Sequence, residues 1–164
     1  MAHRVDLHLA DPEEAVDAGD LTAAVYVGGG YIPSGDAYVE RLADGPGRAN
    51  DAELWVATDE GRMLGCVTFC PEGSPWRELA APGEGEFRML AVSPDARGRG
   101  VGAALVGRCI ERARELGLGS LVLSTMEPMT SAHRLYGRFG FRRIPEHDWS
   151  PANDVCLWAY RMDL

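Results

Sequence analysis

Lysine is missing from this 164-residue chain, and all 16 of its basic residues are arginine. Without a lysine ammonium there is no Walker A phosphate loop and no Schiff-base chemistry. Histidine is scarce, with 4 copies in no HExxH or related spacing. The 4 cysteines, Cys66, Cys70, Cys109 and Cys156, lack a second Cys or His pair to complete a zinc site. No metal is expected, and the cysteines read as small core residues. Long apolar runs are lacking as well: nothing approaches the roughly eighteen residues of a membrane span. The opening MAHRVDLHLADPEE also has no signal-peptide core. A cytoplasmic protein without a membrane partner is expected. There is no basic run either, and at an isoelectric point of about 4.9 nucleic acid is not an expected partner.

What is present suits a soluble globule. With 46% hydrophobic and 25% charged residues, residues 1–164 are expected to form a single domain that buries roughly 70% of its unfolded surface. Net charge is −9, unevenly spread. Residues 1–85 hold 5 Arg against 16 Asp and Glu, net −11, and residues 86–164 hold 11 against 9, net +2. An anionic ligand therefore suits the second half and a cationic one the first.

Strand and helix signals alternate along the chain without repeats. RVDLHL (4–9) alternates as a strand, and Asp11-Pro12-Glu13-Glu14 starts a helix running towards Tyr26. A short helix follows from Asp36 to Leu42, and ADGPGRAND reads as turn. ELWVAT and MLGCVTF form a hairpin around Glu60-Gly61. EFRMLAV (86–92), SLVLST (120–125) and DVCLWAYRM (154–162) are further strands, and SAHRLYGRFGF is a helix stopped at Gly140. Hairpins together with strand–helix–strand crossovers imply an α+β fold, an α/β sandwich whose mixed, largely antiparallel sheet is flanked by helices. After Gly100, Leu105, Cys109, Ala113 and Leu116 make an inward helical stripe, with Gly117 as cap.

Between strand 86–92 and that helix lies RGRGVGA, which admits three readings. Its glycines, the free N–H groups of a helix start and Arg97 and Arg99 suit a pyrophosphate. Gly98, Gly100 and Ala103 formally satisfy a dinucleotide GxGxxA. However, Ser93 to Arg97 separate strand from glycine, and no acid ends the next strand. The third reading is a flexible, solvated helix start.

EFRMLAVSPDARGRGVGAALVGRCIERARELG, followed by LVLST and AHRLYGRFGFRR, resembles the GNAT superfamily of N-acetyltransferases, closely over residues 86–143 and more weakly beyond. The resemblance implies a GNAT-like acyl-CoA N-acyltransferase fold with acetyl-CoA as co-substrate. It places the pyrophosphate on the amides of Arg97, Gly98, Arg99, Gly100, Val101, Gly102 and Ala103. The pantetheine arm would lie along Leu90-Ala91-Val92, through the backbone of Leu90 and Val92. It implies that strand 86–92 splays from strand 120–125, opening a slot for the thioester. Glu86 matches a position that serves some members as general base, and is alternatively an ordinary strand-end charge. Tyr136 matches the family's general acid near the sulfur, and also falls on the core stripe Ala132, Leu135, Tyr136 and Phe139. One departure is Met129, standing where many members have a cofactor-contacting Asn. Thr125, Thr130 and Ser131 offer nearby hydroxyls, with Ser131 expected to cap its helix. His133 and Arg134 are expected to be solvated.

The implied reaction is transfer of acetyl to a primary amine of a small molecule or peptide. A catalytically weak acyl-CoA-binding module and an O-acetyltransferase are the alternatives. Glu13, Glu14, Asp17, Asp20, Asp36 and Glu40 suit a cationic acceptor, and Tyr26, Tyr31, Tyr38, Trp76 and Trp149 could wall its pocket. Members of the family are commonly homodimers through sheet edges.

Overall fold

The computed structural model describes residues 4–152 and 155–164. One sheet organises them, in the order β1-β2-β3-β4-β5-β8-β6, with β7 also paired to β8. The strands are β1 (Asp6–Leu9), β2 (Glu53–Asp59), β3 (Arg62–Cys70), β4 (Glu84–Val92), β5 (Ser120–Met126), β6 (Arg142–Arg143), β7 (Trp149–Ala152) and β8 (Val155–Asp163). Only β4 and β5 run parallel, and every other pairing is antiparallel. The expected mixed, largely antiparallel sheet is therefore the observed one. Asp154 of the expected last strand lies outside the described residues. No helix among those residues is long and apolar enough to cross a membrane.

Alternating side chains feed two layers. On β2, Leu54 and Val56 pack with Ala15 and Ala18 of helix α1 (Pro12–Gly28), while Trp55 and Ala57 join the cluster around helix α4 (Val101–Glu115). Helices α2 (Tyr38–Ala43) and α3 (Gly45–Asp51) join α1 on one face, and α5 (Thr130–Phe139) joins α4 on the other. Asp11 and Glu14 close a capping box at α1, at 2.8 and 3.1 Å. The β2–β3 turn places both Glu60 and Gly61 at positive φ, the twist-matched two-residue hairpin.

Three local expectations differ from the structure. ADGPGRAND is helix α3 rather than turn: Asp44 accepts from the Gly47 amide at 2.9 Å, and Pro46 falls in the first turn, where no N–H is needed. Leu116 does not belong to the inward stripe of α4, because it sits beyond the last turn and is 41% exposed. His133 is not solvated. It stacks on Trp158 at 5.2 Å and contacts the Met126 carbonyl at 3.0 Å, and burial lowers its pKa.

Candidate functional site

The site begins where β4 and β5 part. Their parallel register runs from Glu84–Ser120 to Phe87–Leu123 and stops there. Beyond it β5 pairs only with β8, as far as Met126–Leu157. The parting coincides with a bulge at Met89, a non-glycine residue at φ +56, where β3 skips a partner between Thr68 and Cys66. A bulge bends and twists its strand, so the rest of β4 leaves the β5 direction. Phe87, the last rung, packs edge-on against Tyr136 at 5.8 Å and Phe141 at 5.9 Å, and burying a ring of that size contributes about 2–3 kcal/mol. The fork is thus a firm point at the closed end of the split.

One cavity, of 610 Å³, occupies the α4–α5 side of the split. It is lined by Leu90 and Val92 of β4, by Arg97, Gly98, Gly100, Val101, Gly102 and Ala103, and by Ala132 and Leu135 of α5. Gly98 and Gly100 sit at φ +78 and +77, where an L side chain is strained. A Cβ at either would meet nothing within 4 Å, so the turn is bare on its cavity side. No side chain caps α4. Among the described residues the amides of Gly98, Gly100, Val101, Gly102 and Ala103 donate to no carbonyl. Five unpaired donors at the positive end of a helix dipole form an anion cradle. Arg97 and Arg138, in no ion pair among the described residues, border the same cavity.

The side chains of two expected cofactor residues turn elsewhere. Arg99 gives its guanidinium to Asp59 at 2.9 Å, so its charge serves the β2–β3 hairpin. Ala91 packs with Cys66 and Ala15 on the opposite face, as alternation next to Leu90 requires. Met129 occupies the N-cap position of α5 and borders the cavity with an apolar side chain, its Sδ 3.8 Å from Thr125 Oγ1. Ser131 lines the cavity and makes no cap. Arg138 went unread because its role needs the α5 C-terminus brought beside the α4 N-terminus.

A second cavity, of 600 Å³, opens on the α1–α2 side and shares Tyr26 and Met129 with the first. Tyr38, Trp149, Met89 and Ser124 contribute to its wall, with Trp149 Nε1 donating to Ser124 Oγ at 2.9 Å. Burial raises the pKa of Tyr26, which keeps this phenol protonated at the junction. Of the aromatics expected in a pocket, Tyr26, Tyr38 and Trp149 line this one and Tyr31 the other. Trp76 is buried in the core beneath. Of the six expected acids only Asp36 reaches this cavity, and Arg41, Glu78 and Arg88 join it.

Glu86 and Tyr136 line neither cavity. The Glu86 carboxylate is fully buried and accepts the backbone amides of Leu79 at 2.8 Å, Ala80 at 2.9 Å and Glu78 at 3.1 Å. All three bonds are to Oε1, and among the described residues Oε2 accepts only the Glu78 amide at 3.3 Å, so the carboxylate holds the β3–β4 loop through one oxygen. Tyr136 is held by Phe87, Phe141 and Tyr160. Burial raises its pKa, and its hydroxyl has no hydrogen-bond partner among the described residues, although buried tyrosines usually find one.

A forked sheet with an anion cradle beside one cavity and a mixed-charge wall around an adjoining one defines an α+β protein with a two-part cleft. Residues 25–141 match the Acetyltransferase (GNAT) family. An uncharacterized N-acetyltransferase of Schizosaccharomyces pombe is 38% identical over 110 residues, 66% of this chain and 63% of that relative. A GNAT-family acetyltransferase from Staphylococcus aureus Mu50 shares the fold with a TM-score of 0.76 at 14% identity, over 98% of this chain and 99% of its own. A Salmonella typhimurium protein solved with its cofactor acetyl-CoA does so with a TM-score of 0.68 at 19% identity, over 97% and 93%. The chain belongs to the GNAT acetyltransferase family, whose co-substrate is acetyl-CoA.

Proposed function

We propose that the protein transfers the acetyl group of acetyl-CoA directly to a primary amine. The observation that carries this reading is the meeting of the two cavities at Tyr26 and Met129, beside the fork, with the anion cradle on one side only. The five free amides from Gly98 to Ala103, with Arg97 and Arg138, fit the pyrophosphate, and Leu90, Val92 and Leu135 give the arm an apolar bed. When bound, acetyl-CoA supplies a thioester: the amine nitrogen bonds to its carbonyl carbon, the C–S bond breaks, and the nitrogen loses the proton that the departing thiol gains.

The chain's own residues govern the protons and the water. Tyr136 lines neither cavity but packs on Phe87 at the fork, and its unpartnered Oη, kept protonated by burial, suits a hydrogen-bond donor to developing charge there. Glu86 stabilises the wall: its carboxylate is fully buried, lines neither cavity and holds the loop amides through Oε1. Asp36 and Glu78, both on the acceptor cavity, are the carboxylates in reach of an incoming ammonium. The aromatic and apolar wall of Tyr26, Met89 and Trp149 limits water at the junction.

The test is acetyl-CoA-dependent thiol release over amines, peptides, amino acids and alcohols. Turnover with amines is expected, and Tyr136→Phe should lower kcat by about 10²-fold or more while acetyl-CoA affinity is kept. Binding of acetyl-CoA without thiol release on any acceptor would leave an acyl-CoA-binding module. Release with alcohols alone would make the chain an O-acetyltransferase.

A further inference from the structure

The charges of the acceptor cavity are arranged for more than an amine. Arg88 precedes the β4 bulge, and the positive φ at Met89 leaves residues 88 and 89 both bordering this cavity. Its side chain is only 9% exposed. Nη1 donates to the Trp76 carbonyl at 2.9 Å and Nη2 to Tyr38 Oη at 3.3 Å. A guanidinium carries five N–H donors, so these two bonds fix its plane and leave donors unused. The nearest carboxylate, Glu78, stands 3.8 Å away, beyond hydrogen-bond reach, and is shared with Arg41 at 3.7 Å. Behind them lies Arg48, fully buried, whose hydrogen bonds go only to the Arg41 and Leu42 carbonyls and Thr22 Oγ1. Three guanidinium groups converge around Trp76, with Arg41 4.4 Å and Arg48 5.9 Å from its ring centroid. Glu78 stands beyond hydrogen-bond distance of both Arg41 and Arg88, and a buried guanidinium held in one plane with donors to spare matches a ligand carboxylate in fork geometry.

Resting on the reading of this cavity as the acceptor end of an acetyltransferase, we infer that the acceptor is an amine bearing its own carboxylate, a free amino acid or close analogue. Its carboxylate docks on Arg88, supported by Arg41, and its ammonium faces Asp36. A purely cationic amine would leave the Arg88 donors unpaired.

The experiment compares each common L-amino acid with its carboxamide and its decarboxylated amine, by kcat/KM for thiol release. At least one amino acid should exceed both neutralised partners by about 100-fold, because a site built to hydrogen-bond a group rejects the analogue lacking it. Arg88→Gln should erase that preference through KM, with the amino acid losing far more than its decarboxylated amine. Arg41→Gln, at a half-exposed position, should reduce the preference about tenfold. It keeps the test available if Arg88→Gln does not fold, which acetyl-CoA binding monitors. Equal or better turnover of the decarboxylated amines and carboxamides would overturn the inference and leave the acetyltransferase standing. Thiol release with no amine of any kind would overturn both.

Discussion

Gly100 concentrates the chemistry of the cradle into one atom that is missing. At φ +77 it turns the chain into α4 without a Cβ, and the space a side chain would take is cavity. Asparagine tolerates this left-handed conformation better than other residues, so Gly100→Asn separates blocking from backbone strain. It should weaken acetyl-CoA binding at least about tenfold, or 1.4 kcal/mol, with little change in Tm. Unchanged affinity by calorimetry would return the turn to a plain loop. Gly98, Gly100 and Gly102 stood out in the sequence because glycine spacing before a helix is a local signal, and the choice among its three readings came from the wider resemblance over residues 86–143. Arg99 was not, because Asp59, its partner at 2.9 Å, is distant in the chain and reaches it only through the β2–β3 hairpin.

At the scale of elements, β4 shapes both cavities. Its first half pairs with β5, its bulge opens the split, and its last residues bed one cavity while Arg88 and Met89 wall the other. Glu86 ties this strand to the β3–β4 loop, which carries Glu78 and Trp76. Glu86→Gln retains an acceptor oxygen for the three amides, so turnover should fall by less than about tenfold. A general base replaced by glutamine would lose about 10²-fold or more. Glu86→Leu strands the three amides, and at about 1–3 kcal/mol for each unsatisfied group it should sharply increase proteolysis of the loop. A 10²-fold loss in Glu86→Gln with an intact loop would restore the base role. The sequence marked Glu86 by its place on the strand, and it could not show that a loop folds back over the carboxylate. In the same way α3 was hidden because a run of Gly, Pro, Asn and Asp has turn composition. Its helix depends on the Asp44 cap and on Gly45 passing close to Ala15 of α1.

For the whole molecule, a net charge of −9 opposes an anionic cofactor, and the local cradle overcomes it because free amides and arginines act within a few ångströms while the distant carboxylates are screened. Because the cradle joins β4, α4 and α5, a ligand seated there ties three elements together. Acetyl-CoA at a hundredfold excess over its Kd should stabilise the fold by about 2.7 kcal/mol, visible as a Tm rise of roughly 5 °C. NAD at the same concentration should produce none, and a larger shift with NAD would revive the dinucleotide reading. What the sequence determined by itself was local: hydrophobic period, helix caps, the glycine turn and the order of elements, all written within short windows of chain. Only the tertiary structure decided which charges meet. Arg88, Arg41 and Glu78 come from three separate elements, and the fork, the sealing of Glu86 and the shared wall at Tyr26 and Met129 arise from packing across the sheet. Side-chain partners of that kind depend on contacts between residues far apart in the chain, and no local pattern encodes them.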